Sequence, residues 1–164
     1  MSLQKHLEKT DMGGYLIDTN IWSYWFDPER YPDECPNVRR RVAGLPASAR
    51  LSISVISWGE IAVGLPGGLQ SKQLQFVKSK HPYIHPLDTH TAEEYGRLRG
   101  LAKRPQKSKA KVDRFTWLEI GSLENDLWII AQAMTYNLTL VTSDKFKPIR
   151  DVVGNDLKME NWAE

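Results

Sequence analysis

Only one cysteine, Cys35, occurs in the 164 residues. No internal disulfide can form, and no Cys/His cluster suggests a zinc site. An isolated thiol of this kind reads as structural. Long hydrophobic runs are missing as well. No stretch reaches the ~18 consecutive apolar residues that a membrane span needs. The opening MSLQKHLEKTDMGG is polar and lacks the apolar centre of a secretion signal, so a cytoplasmic location is expected. There is no G-x-x-x-x-G-K-[ST] loop, which argues against nucleotide-driven chemistry of that type. Charge of one sign is scarce too. A net charge of +2 and a pI of about 8.6 are too mild to establish a nucleic-acid partner.

What is present is ordinary globular composition, 41% hydrophobic and 26% charged, on a length that suits one domain with one core. We expect a single domain over 14–164 preceded by a flexible arm over 1–13. Short apolar runs alternate with longer amphipathic ones. Tyr15–Ile17, Leu51–Ser54, Tyr83–His85 and Thr139–Thr142 read as strands, with LKMENW as a last edge strand. Thr19–Phe26 precedes Pro28, which stops any helix, and Asp27–Pro36 is a proline-rich loop. Helices are expected over Asn37–Gly44, Val55–Gly64, Gln70–Lys80 and Thr91–Ala102, the last with Glu93 and Glu94 in its first turn. The clearest helix is Asn125–Tyr136, where Leu127, Ile130, Ala131 and Met134 repeat at i, i+3, i+4, i+7. Arg104–Lys111 reads as a polar, basic linker. This alternation implies an α/β domain with a mainly parallel sheet covered on both faces.

In open α/β sheets, ligands bind beyond the carboxyl ends of the strands. Asp18 directly follows the first strand, and Asp144 lies two residues past the TLVT strand. Glu60 and Asp126 sit in apolar helical surroundings. Each alone has an ordinary reading, as a helix cap, a first-turn acid, a turn residue or a surface ion pair. Together they can converge on one edge of the sheet. Converging carboxylates repel one another and need a cation to stay ionised together. Hard oxygen donors favour Mg²⁺ or Mn²⁺, and a water bound to such an ion can attack a phosphodiester.

LIDTNIWSYW resembles the opening of PIN-domain nucleases: an apolar strand, then Asp18, Thr19 and Asn20. ISVISWGEIAVGL is similar to the second motif of that family, and NDLWIIAQA with TLVTSDKFKPI to the third and fourth, with a closing NW. Four motifs in order, from about Gly14 to Trp162, are closest to the VapC toxins of toxin–antitoxin pairs. The resemblance implies a three-layer α/β/α PIN-like fold and a Mg²⁺-dependent endoribonuclease (Mn²⁺ as the alternative ion). It implies metal ligation by Asp18, Asp126 and Asp144, with Glu60 binding directly or through water. Thr19 and Asn20 would support the Asp18 loop, and Thr142 or Ser143 would orient the last acid. Glu119 and Glu124 lie off the motif and rank below Asp126. The polar stretch between Ala102 and Leu123 is longer than the family pattern, which leaves Asp113 as a competitor for the third position. The resemblance further implies a homodimer and a cognate antitoxin protein laid in a groove.

Other features fit those partners. Arg39, Arg40 and Arg41, with Lys107, Lys109 and Lys111 inside the basic run Lys103–Arg114, are candidates for holding an RNA backbone; solvated faces are their ordinary reading. Six tryptophans are many for this length. Core packing accounts for such residues in general, but the Trp22–Phe26 segment is expected to line the antitoxin groove through Trp22, Trp25 and Phe26. Three alternatives remain. One is a phosphatase or phosphotransferase with Asp18 as nucleophile, disfavoured because Asn20 stands where such families carry an acid/base aspartate. Another is a nuclease acting on DNA or in RNA processing. The third is a non-catalytic RNA-binding or regulatory module.

Overall fold

The computed structural model describes residues 14–63, 69–103 and 124–164. The expected arm over 1–13 and the basic linker Arg104–Lys111 lie outside them, as do Asp113 and Glu119. The described chain runs β1 (Gly14–Ile17), α1 (Thr19–Phe26), α2 (Glu34–Ala43), β2 (Arg50–Ser54), α3 (Val55–Ala62), α4 (Leu69–Ser79) and β3 (Tyr83–His85). It continues through α5 (Thr89–Lys103), α6 (Glu124–Thr135), β4 (Thr139–Val141), α7 (Lys147–Val153), a 3-10 turn (Gly154–Asp156) and β5 (Met159–Glu160).

The five strands form one sheet in the order β3-β2-β1-β4-β5, and every neighbouring pair is parallel. Side chains alternate across it. Leu16 and Leu140 face one core with Leu98 of α5, Leu127 and Ile130 of α6, and Ile149 and Val153 of α7. Their neighbours Ile17 and Val141 face the opposite core with Ile53, Ile21 and Trp22 of α1, Val38 of α2, Val77 of α4 and Trp162. Burial on both faces explains why these strands read as short apolar runs. The result is the three-layer α/β/α arrangement. None of the described helices is long and apolar enough to cross a membrane.

Most boundaries shift by one or two residues from the sequence reading, and two helix starts and one helix differ for a physical reason. α2 begins at Glu34 rather than Asn37, because Pro36 falls in the first turn, where its missing N–H costs nothing. α5 begins at Thr89, because the Asp88 carboxylate accepts the Thr91 N–H at 2.8 Å and caps the helix. Glu93 and Glu94 therefore belong to its second turn. α7 has no counterpart in the sequence reading; Pro148 occupies its first helical turn, and Ile149 and Val153 dock onto the core.

The chain leaves β1 toward β2 and β3 on one side, and β4 and β5 continue on the other. The strand order thus reverses between β1 and β4, which opens a crevice at their carboxyl ends.

Candidate active site

Asp18 is the residue after β1. Its N–H donates to the Val141 carbonyl at 2.9 Å, which carries the β1–β4 pairing one step further. Its carboxylate caps α1 by accepting the Thr19 N–H at 2.7 Å, and it also accepts the Thr142 hydroxyl at 2.9 Å. Only 4% of Asp18 is exposed. Burial pushes its pKa up to about 6. The two hydrogen bonds oppose that rise, and the charges of Asp144 and Glu60 add to it.

Thr142, just past β4, is the hub of a small network. Its hydroxyl oxygen accepts the Asp144 N–H at 3.1 Å and the Asn20 Nδ2–H at 3.3 Å while donating to Asp18. Asn20 also donates to Asp144 Oδ2 at 3.1 Å and accepts the Ser143 N–H at 3.4 Å. The amide of Asn20 therefore braces the loop that carries the fourth acid.

Glu60 comes from α3, which Ser54 caps through the Ile56 N–H at 3.0 Å. One Glu60 oxygen accepts the Thr19 hydroxyl in a short hydrogen bond, and the other accepts Asn125 Nδ2–H at 2.8 Å. Asp126 stands in the first turn of α6. Burial first, and then the charges of Asp18, Asp144 and Glu60, raise its pKa to about 7. The four carboxylates thus feel one another. They line one cleft of about 330 Å³ with Thr19, Asn20, Ser23, Tyr24 and Tyr31.

Four hard carboxylates in one cleft, two of them resisting ionisation, suit a divalent cation such as Mg²⁺ or Mn²⁺. Among the described residues, no three acidic, histidine or cysteine side chains are already closed into a set that could hold an ion as they stand. Glu60 and Asp144 are instead engaged by neighbouring donors. Thr142→Val tests the support beneath this donor set. It removes the hydroxyl shared by Asp18, Asn20 and Asp144, and should weaken Mn²⁺ binding by about 10–100-fold with circular dichroism unchanged.

The family model for the PIN domain matches residues 15–147. The chain belongs to the PIN-domain family. Solved structures share the fold. A chain of VapBC-1 from nontypeable Haemophilus influenzae superposes with a TM-score of 0.64 at 20% identity, covering 92% of this chain and 99% of that one. A chain of VapBC2 from Rickettsia felis, solved with a DNA fragment from its promoter, gives 0.61 at 22%, covering 91% and 98%. A toxin–antitoxin complex from Klebsiella pneumoniae gives 0.56 at 20%, covering 92% and 98%. No curated protein sequence matches the chain.

In this PIN domain all four acids named from the sequence reach the same cleft, together with Thr19 and Asn20. Thr142 bonds Asp18 directly, whereas Ser143 touches Asn20 through its N–H and its hydroxyl lies 3.2 Å from that of Tyr24. Glu124, by contrast, accepts a short hydrogen bond from Tyr95 and pairs with Arg99 at 3.0 Å. Arg39, Arg40 and Arg41 are exposed on α2, Arg41 within 3.6 Å of Glu160, and none of them lines the cleft. Lys107, Lys109 and Lys111 lie outside the described residues.

The tryptophans require a correction. Trp22 is fully buried, its indole N–H donating to the Ile17 carbonyl at 3.1 Å, and Trp25 stacks on it at 5.4 Å with 7% exposure. They are core residues that present almost no surface to a partner. Phe26 is half-buried against Phe76.

Four contributors are not assigned to the acidic site by the sequence reading: Ser23 and Tyr24, which fall in the segment expected to line the antitoxin groove, Tyr31 and Asn125. Helical spacing from Thr19 and Asn20 reaches Ser23 and Tyr24, and Asn125 adjoins Asp126. Tyr31 carries no local signal.

Proposed function

We propose that the chain is a metal-dependent endoribonuclease and the toxin half of a toxin–antitoxin pair. The observation that supports this reading is the meeting of Asp18, Glu60, Asp126 and Asp144, from four separate elements, in one cleft at the reversal point of a parallel sheet. Ionised Asp18, Asp126 and Asp144 would hold Mg²⁺, with Mn²⁺ as a substitute and Glu60 as a direct or water-mediated fourth partner. When bound, the ion supplies a water of lowered pKa and neutralises charge on the phosphoryl group.

The chain's own residues do the rest. Thr142 and the Thr19 N–H fix the Asp18 carboxylate from its buried side. Asn20 holds Asp144. Thr19 and Asn125 hold Glu60 from two directions, which suits it to orient an attacking water and take its proton as that oxygen bonds to phosphorus. The bond from phosphorus to the leaving oxygen then breaks, and solvent protonates that oxygen. Lys107, Lys109, Lys111 and the arginines of α2 are proposed to hold flanking phosphates outside the cleft.

The antitoxin partner is inferred from the structural neighbours, which are VapBC and toxin–antitoxin complexes. A homodimer is part of the same reading. The test is incubation of the purified protein with single-stranded RNA and with DNA of the same sequence. Mg²⁺-dependent internal cuts in the RNA alone, abolished by EDTA, are expected. Cutting of DNA alone, or binding of RNA without cuts, would contradict the reading.

A further inference from the structure

The cleft has a wall that the acids do not explain. Thr19, Asn20, Ser23 and Tyr24 share one face of α1 toward the cleft, while Ile21, Trp22 and Trp25 take the buried face. Tyr31 reaches the same cleft from the connection after α1. Its ring meets that of Tyr24 at nearly right angles, centroids 4.7 Å apart. Backbone hydrogen bonds fix it on both sides: its N–H donates to the Asp27 carbonyl at 3.0 Å, and its carbonyl accepts the Cys35 N–H at 3.0 Å. Tyr31 is only half-buried and belongs to neither core. The exposed Arg30 guanidinium lies over one face of its ring, 5.3 Å from the centre.

The charge of the cleft makes this wall matter. Four of the nine lining residues are acidic and none is basic, so these side chains repel a polyanionic strand. Stacking of a base on an aromatic ring needs no opposite charge and requires an unpaired base. We propose that Tyr31, buttressed by Tyr24 and covered on one face by the exposed, displaceable Arg30 side chain, is a stacking subsite for one unpaired nucleobase of the RNA, next to the bond presented to the carboxylates. This rests on the ribonuclease reading above. The subsite is tolerant of base identity, since every base has a π face. It demands single-stranded RNA.

The test is kinetic, on the full chain with Mg²⁺, using a cleaved single-stranded RNA and copies of it each lacking one base. In the wild type, base removal at one position beside the cut should raise KM by about tenfold with kcat little changed. Tyr31→Leu should show that same rise with the intact RNA and no further penalty when the base is missing, whereas Tyr31→Phe, which keeps the ring, should retain the base-removal penalty. Equal base-removal penalties in wild type and Tyr31→Leu would overturn the subsite. So would a wild-type scan in which no single base matters, a result that stands even if Tyr31→Leu does not fold. Cutting that is indifferent to every base overturns the subsite alone, whereas failure to cut any RNA overturns the ribonuclease reading with it.

Discussion

Asp18→Asn is expected to lower metal-dependent RNA cleavage by more than about 100-fold, because loss of a direct ligand should exceed the roughly 10–100-fold cost of losing a ligand's hydrogen-bond partner. The same variant should remain folded and close to wild type in stability in metal-free buffer at pH 7.5, the bond from the Thr142 hydroxyl that its amide nitrogen forfeits being offset by the lost buried charge. Asparagine caps a helix as well as aspartate does, so the bond from the Thr19 N–H is retained. The substitution also removes a buried negative charge that Asp144 and Glu60 disfavour. Cleavage assays paired with thermal melts check both halves. A variant that loses activity only because it unfolds would argue that Asp18 is structural, and one that still cuts at the wild-type rate would remove it from the site.

The second large effect is on pH. The pKa of Asp18 rises from 3.8 to about 6 on folding and that of Asp126 from 3.8 to about 7. In the pH window above 3.8 these two acids therefore bind more protons in the folded, metal-free protein than in the unfolded chain, and their contribution to stability falls as pH climbs; His85, whose pKa burial lowers, acts in the opposite direction. For the deeply buried Asp18 the rise corresponds to about 3 kcal/mol lost between pH 4 and 6; Asp126 acts in the same direction up to about 7. Ligation needs the ionised acids, so metal binding should strengthen over the same range. Mn²⁺ at about a hundred times its dissociation constant adds about 2.7 kcal/mol, or roughly 5–10 °C in Tm for a chain of this size, at pH 7.5. At pH 5 that gain should largely vanish. Melting curves across pH with and without the ion measure both trends. A metal-free wild type that loses no stability relative to Asp18→Asn from pH 4 to 7 would contradict them.

Much of this molecule is legible locally because its strands are buried on both faces. YLI and TLV stand out as short apolar runs, and the acids that follow them had to lie at the carboxyl edge of the sheet. Asp18 and Asp144 could be placed by that argument alone. Glu60 and Asp126 could not, since a helical acid has many directions to point, and only packing of α3 and α6 onto the sheet brings both to the cleft. Tyr31 was illegible because a loop residue's destination depends on tertiary contacts, here the turn at Asp27 and the start of α2. The reverse failure befell Trp22 and Trp25. A cluster of aromatics looks the same in sequence whether it covers a core or greets a partner, and here the alternation of Ile21, Trp22 and Trp25 with Ser23 and Tyr24 turned the indoles inward.

The most direct test is calorimetric titration of the metal-free protein with Mn²⁺ at pH 7.5, on wild type and on Asp18→Asn, Asp126→Asn and Asp144→Asn. Saturable binding to the wild type and at least about tenfold weaker binding in each variant are expected. Wild-type protein that takes up no ion, or three variants that bind it as well as wild type does, would contradict a shared divalent site.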